Sequence, residues 1–267
     1  MKFLLILLFS ILLSQEAYEG YVIYTPGGGA GGNNATTYLK DTDGSIFNSW
    51  SHNRGPASMA YLVPGNEPGF ENTLLYYPCT VSNPTMQNGG VGGEVEIYNW
   101  EGDLLWEYTL SNETYQHHHD IEPLPNGNFL AIVWERFYSS DWSNMGRTSV
   151  NNSLNQMWGT AILEIEPNFE TGEGEIVWEW HIWDHLVQDR GSQYGATYGS
   201  ISDHPELMDI NCGTVGGNGG PGGQPHADWM HINAVSYNEN LDQIVLSSRH
   251  KDEIYVIDHS TTTEEAA

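Results

Sequence analysis

"GEVEIYNWEGDLLWEY", from Gly93 to Tyr108, decides the fold class. Apolar and polar residues alternate into Tyr98, Asn99 to Asp103 carry turn chemistry around Gly102, and a second run closes on Trp106. Alternation on both sides of a Gly-containing turn is the pattern of an antiparallel β-hairpin packed on a core by one face. The pattern recurs in "TTYLKDTDGSIFNSW" (Thr36 to Trp50) and "TAILEIEPNFETGEGEIVWEW" (Thr160 to Trp180), where Trp50 and Trp178 stand where Trp106 does. "DEIYVIDHSTTTEEAA", from Asp252 to Ala267, begins a further copy that does not reach its Trp.

Hairpins of a second type lie between these: "HDIEPLPNGNFLAIVWE" from His119 and "HINAVSYNENLDQIVLSSR" from His231. Two hairpins per repeat with few helical signals describe the blades of a β-propeller. The expected fold is therefore all-β, a propeller of about four visible blades over residues 18–267, incomplete because its last hairpin is cut at the C-terminus. Two stretches break the repeat, 135–159 and 181–229, and both are polar, Gly-rich and unperiodic. Long loops of this kind are expected on one face of a propeller, near its central channel. Within the second, "WDHLVQD" (Trp183 to Asp189) reads as a short helical turn.

The chain carries 35 Asp and Glu against 8 Lys and Arg, a formal charge of −27. No basic patch can be assembled from so few cations, which argues against a nucleic-acid or anionic-membrane partner. Any cation placed in a cleft of such a chain is conspicuous. The N-terminal "MKFLLILLFSILLSQEA", residues 1–17, joins one Lys to a short apolar run and small or polar residues. It reads as a secretory signal peptide, too short to span a bilayer, so a secreted or periplasmic location is expected with no membrane partner after its removal. Cys79 and Cys212 either pair in an oxidising compartment or remain buried thiols.

The chemistry gathers at strand heads. His119 precedes one alternating run, His231 and Asn233 head another, and Arg249 follows the returning strand. First strands of propeller blades line the central channel, so these side chains are expected to meet although distant in sequence. An Arg fork beside two imidazoles suits a small oxyanion such as sulfate or phosphate. His117, His118 and His119 alternate in direction on a strand, so His119 is the member expected to face the anion, with His118 the alternative one register away and His117 a strand-end residue. Adjacent strand residues diverge and do not preset a transition-metal geometry, so no metal is assigned. "DTDGS" (Asp41 to Ser45) lacks the downstream Glu of a calcium loop and reads as a turn. "GTVGGNGGPGG" lacks the Lys-Ser/Thr of a P-loop, and no Gly-x-Ser-x-Gly elbow is present.

"HHDIEPLPNGNFLAIVWE", "GEVEIYNWEGDLLWEY", "ADWMHINAVSYNENLDQIVLSSRHKDEIYVID" and "TTYLKDTDGSIFNSW" closely resemble the secreted bacterial arylsulfate sulfotransferases (arylsulfotransferase, ASST, family) over most of the chain from Thr36. The Asp-Trp-x-His-x-Asn and Ser-Ser-Arg pieces are the most specific. The resemblance implies a six-bladed propeller that moves a sulfuryl group from a phenolic sulfate ester to a phenol through a sulfohistidine, with no cofactor and no nucleotide sulfate donor. Carried over, it gives His119, His231 and Arg249 the catalytic roles of holding and polarising the sulfate, with His118 and Asn233 binding substrate and Asn233 supporting His231. The family's attacking histidine falls beyond the end of this sequence, and His259, in "IDHSTTT", does not take that role; on this reading the chain is an N-terminal portion, inactive by itself. The alternative is a secreted, non-catalytic propeller that binds carbohydrate or other ligands, to which the many Trp and Tyr residues are suited. A metal-dependent sulfatase is disfavoured, since "CTVSN" at Cys79 lacks the Cys-x-Pro-x-Arg setting.

Overall fold

The computed structural model describes residues 20–27, 34–65 and 69–267; the leader-like residues 1–17 lie outside them. The fold is mostly β, as expected. β1 (Tyr21–Tyr24), β2 (Ala35–Asp41) and β3 (Ile46–His52) form a first sheet. β4 (Tyr61–Val63), β5 (Leu74–Thr80), β6 (Gly93–Tyr98) and β7 (Leu104–Thr109) form a second. β8 (Tyr115–Pro123), β9 (Phe129–Phe137), β10 (Met157–Pro167) and β11 (Gly174–His181) form a third. A small parallel sheet of β12 (Leu186–Gln188), β13 (Thr197–Tyr198) and β14 (Met208–Asp209) intervenes, and β15 (Ile232–Asn238), β16 (Gln243–Ser248) and β17 (Glu253–Asp258) form the fourth large sheet. In the four large sheets neighbours in sequence are neighbours in space and all pairs are antiparallel. The hairpins read at Thr36, Gly93, His119, Thr160 and His231 are present, whereas the stretch from Asp252 forms β17 on the edge of the fourth sheet and then a short helix; Asp41 to Ser45 is the β2–β3 turn, with the Ser45 N–H on Asp43.

Successive sheets pack face to face. Leu39 and Trp50 of the first sheet meet Leu75, Tyr77 and Tyr98 of the second. Val95, Ile97 and Trp106 of the second meet Phe129, Ala131 and Val133 of the third. Leu130 and Ile132, the alternate residues of the same strand β9, face Ile232, Ile244 and Leu246 of the fourth. Burial on both faces explains why "FLAIVW" is continuously apolar. Each such Leu, Ile or Val contributes roughly 1.5–3 kcal/mol.

The recurrent Trp residues have a second task. Trp50 donates its indole N–H to the Asn99 carbonyl in the β6–β7 turn, Trp106 to the Glu173 carbonyl in the β10–β11 turn, and Trp178 to the Thr261 carbonyl after β17. Each closing Trp thus pins its sheet to the next one along.

The two segments that break the repeat are folded. In the first, the short helix α1 (Ser139–Asn144) leads to Arg147, whose guanidinium donates to the carbonyls of Ser149, Ile210, Cys212 and Gly213. In the second, the helical turn expected over Trp183 to Asp189 is confined to a 3-10 turn, Ile182–Asp184, and Leu186–Gln188 runs instead as β12; Leu186, Ile210, Val215 and Trp229 enter the core of the fourth interface. The apolar residues of this stretch are widely spaced, so they carry no period, yet they cap the core. Cys79 and Cys212 are both free thiols. Among the described residues no helix is long and apolar enough to cross a membrane.

After β17 the chain turns into a short helix, α2 (Thr263–Ala266), and His259 sits between sheets. Its Nδ1 is 2.8 Å from Asp242 and its Nε2 2.9 Å from Glu164, which also accepts from Asn126 and Asn128. Two carboxylates on one imidazole need both ring nitrogens protonated. Accordingly His259 is raised above its ordinary value, first through the Glu164 bond. Burial works against ionising Glu164, but the bonds from His259 and the two Asn residues outweigh it and hold its carboxyl low.

Two predictions follow from these contacts. Trp106→Phe keeps the ring but strands the Glu173 carbonyl, and should cost about 1–2 kcal/mol in chemical denaturation; an unchanged midpoint would remove the indole bond as a sheet tie. A raised His259 contributes stability that is fully present below about pH 6.5 and is lost as pH rises through its folded value, whereas the lowered Glu164 contributes above about pH 4.5. The stability gap between the parent and His259→Gln should therefore be largest near pH 5.5, at about 1.5 kcal/mol, and close towards pH 8.5. A gap independent of pH would mean that His259 is neutral in the fold.

Candidate functional site

The head of β8 does not run as a regular strand. The β8–β9 ladder pairs His117 with Val133 and resumes at Ile121 with Ala131, so His118, His119 and Asp120 stand against Ile132 alone. The head of β15 is irregular in the same way, since Ile232 pairs with Ser248 and Ala234 with Ser247, leaving Asn233 extra. His119 and His231 both hold positive φ, 56° and 53°. A side chain with a Cβ adopts that conformation at a cost of about 1–3 kcal/mol, and such residues and bulges gather at functional sites. Two bulges on the inner strands of two sheets turn two imidazoles towards each other.

The rings of His119 and His231 meet edge to face with centroids 4.7 Å apart, and His250 stacks on the other side of His231 at 4.9 Å. Arg249 closes the group: its backbone N–H donates to the His231 carbonyl and its side chain is exposed. Lys40 lies over Tyr24, Arg54 pairs with Glu94, and Arg136, Arg147, Arg190 and Lys251 donate to carbonyls. Arg249 alone among the described Lys and Arg residues has no such partner. In a chain of formal charge −27 it is the one cation among the described residues left open to a ligand.

His231 is oriented from beneath by Asp228, which is fully buried. Asp228 accepts from His231 Nδ1 at 2.5 Å and from the His231 backbone N–H at 3.0 Å, and Asn88 donates to it at 2.9 Å. Burial alone would raise its carboxyl, but the His231 bond and charge, then His250 and Asn88, hold it below the usual range. The carboxylate fixes the tautomer: Nδ1 carries hydrogen and Nε2 is directed away from it. The support expected of Asn233 is therefore made by Asp228 instead. Asn233 is the extra residue of the bulge and is exposed.

His119 is in the opposite environment. Its Nδ1 is 2.9 Å from Nδ1 of His118, not from a carboxylate. Burial, then the neighbouring His231, with Arg249 adding to them and Asp228 opposing, lowers it to about 4. It is neutral at physiological pH. His118 is fully buried, stacked on Trp134 at 4.1 Å, and burial drives it well below its ordinary value. The second candidate of the tract thus stands behind His119 and does not reach the cleft. His117 is also fully buried and accepts from the Gly93 N–H through Nδ1, so it is a core residue and not a solvated strand end.

The segment Asn88 to Gly93 lies along this strand head. His119 donates its backbone N–H to the Gly90 carbonyl, and Gly92 donates to the His117 carbonyl. A Cβ on Gly90 would lie 2.2 Å from the His119 ring, so only glycine lets the ring lie down there. The hairpin pattern begins at Gly93 and gives no sign of this wall; the run "NGGVGG" (Asn88 to Gly93) is its one mark in the sequence. Asp228 was visible in Asp-Trp-x-His, but nothing in spacing tells a ligand-facing residue from one that holds it. Among the described residues the single group of three metal-type donors is Cys79, Glu94 and Glu96, on β5 and β6, whose two carboxylates share the Arg54 guanidinium.

The family model described as Arylsulfotransferase (ASST) matches residues 33–264. No curated protein matches the chain. The chain belongs to the arylsulfotransferase family, which gives it a sulfotransferase-type function on small aryl sulfates and phenols.

Asp228 satisfies three donors in a dry setting, so Asp228→Ala should cost about 3 kcal/mol and Asp228→Asn clearly less, read by chemical denaturation. Equal and small losses would show that the carboxylate does not organise the cleft.

Proposed function

We propose that this cleft binds the sulfuryl group of a phenolic sulfate ester and serves its transfer to a phenol, on sheets arranged as propeller blades around the channel where β8 and β15 meet. The observation that carries the reading is the meeting of His119, His231 and the unpartnered Arg249 in a chain otherwise crowded with carboxylates. Arg249 and the imidazole N–H groups neutralise the sulfuryl oxygens as charge builds on them. His231, with Nδ1 held by Asp228, uses Nε2 for the proton of the phenol oxygen.

In the first half-reaction an attacking imidazole forms an N–S bond, the S–O bond to the aryl group breaks, and the electron pair leaves with the phenolate oxygen, which takes a proton from His231. In the second the acceptor phenol gives its proton to His231 as its oxygen bonds to sulfur and the N–S bond breaks. His119 and His231 hold the group in transit, and we assign the attack to a separate imidazole. His259, held between Glu164 and Asp242, is not available for it. We place the protein outside the cytoplasm, on the character of residues 1–17.

The test has two parts. Inorganic sulfate titrated into this chain by calorimetry should bind, and Arg249→Ala should weaken it at least tenfold at unchanged folding. A chromogenic phenyl sulfate should pass its group to phenol with a form extended beyond Ala267, and His231→Ala in that form should lower kcat by roughly 100-fold or more. No sulfate binding, with saturable glycan binding that survives both substitutions, would replace the transferase by a binding module.

A further inference from the structure

We infer that His118, which touches no ligand, is the positioning residue that fixes the tautomer of His119 and makes it a permanent hydrogen-bond donor to the anion. The inference rests on the anion-binding reading of the cleft. Its basis is the 2.9 Å contact between the two Nδ1 atoms, the complete burial of His118 and its stacking on Trp134 at 4.1 Å with ring planes 10° apart.

One Nδ1 of this pair must carry hydrogen and the other a lone pair. If His118 accepts, its own hydrogen sits on Nε2, a buried atom with no partner. If His118 donates, that stranded atom is a lone pair, and a buried N–H is the worse group to leave unpaired. His117 has no such choice, because its Nδ1 accepts the Gly93 N–H and its hydrogen is forced onto a buried Nε2. His118 is free to choose and takes the Nδ1–H form. His119 then accepts at Nδ1 and presents Nε2–H. Its Nε2 has no protein partner and is not among the buried unsatisfied atoms, so it opens to the cleft.

The two facing imidazoles therefore divide the work by what stands behind them. A carboxylate behind His231 lets that ring gain and lose a proton at Nε2. A neutral imidazole, pinned between Trp134 and the chain, stands behind His119 and offers no charge to support an imidazolium. His119 grips and His231 exchanges the proton.

Long-range ¹H–¹⁵N spectra of the ¹⁵N-histidine-labelled chain report the tautomer of each ring directly, without catalysis. At pH 7 we expect Nδ1–H for His118 and Nε2–H for His119. His118→Phe keeps the stack on Trp134 but removes the donor; His119 should then populate both tautomers, and inorganic sulfate should bind about tenfold more weakly. His118→Asn, which places an amide N–H near the Nδ1 position, should restore the Nε2–H form and most of the affinity. An Nδ1–H signal for His119 in the parent chain, or an unaltered pattern in His118→Phe, overturns the inference; should that variant not fold, the parent spectrum decides. Absence of sulfate binding by the parent with the expected tautomers sinks the anion reading instead, so the two failures are told apart.

Discussion

The inner strand of each sheet is an edge, and its outward backbone N–H groups have no ladder partner. β8 answers this with two carboxylates. Asp120 accepts from the Val235 N–H of β15 at 3.4 Å and from the Tyr61 hydroxyl of β4 at 2.6 Å, and Glu122 accepts from the Tyr237 N–H at 3.2 Å. Burial raises both carboxyls, so the hydrogen bonds are what make acids tolerable there. Three sheets are thereby joined along their inner strands, next to His119. That joint adds a polar tie to the apolar packing of Leu130 and Ile132 on Ile232, Ile244 and Leu246, and together they bring the heads of β8 and β15 to one place. The indole ties of Trp50, Trp106 and Trp178 do the matching work near the outer strands.

Much of this was legible in the sequence. Hairpins follow from alternation over a few residues, and the recurrent Trp marked equivalent strands even though its hydrogen bond lies in the next sheet. His119, His231 and Arg249 could be singled out because they stand at the ends of equivalent strands and because a cation is conspicuous in so acidic a chain. What could not be read depends on pairs far apart. Asn88 meets Asp228 across 140 residues of sequence, and Gly90 matters because a ring from another strand lies on it. The orientation of His118 against Trp134 depends on a bulge that displaces the register by two residues, which no alternation predicts. Residues 181–229 read as loop because their core residues are too sparse to show a period.

The electrostatic design of the cleft differs from that of the surface. Charges on the surface are screened beyond about 8–10 Å at physiological ionic strength, so a formal −27 does not prevent an anion from resting beside Arg249. What matters at contact is the local set, and it contains one guanidinium, imidazoles and one carboxylate already engaged by three hydrogen bonds. A protonated His119 would add attraction, yet burial forbids it at neutral pH. On the proposed reading an anion there meets one fixed cation, Arg249, and the neutral N–H of His119, while His231 is held by Asp228 for the exchange of the proton.

A neutral donor has an advantage for a group in transit. A sulfuryl group in such a reaction is held through two half-reactions and released with the product of the second, and a cluster of full positive charges in a dry cleft would bind the ground state as firmly as the transition state. Only interactions that strengthen as the S–O bond breaks lower the barrier. Neutral N–H groups aimed at the oxygens gain most when charge accumulates on them, and they need no rearrangement at that moment. On the proposed reading, the positive φ of His119 and the unpaired Nε2 of His118 are the costs of keeping such a donor in place, and the positive φ of His231 is the cost of turning the proton-exchanging ring towards it; the strain accordingly lies at the two strand heads.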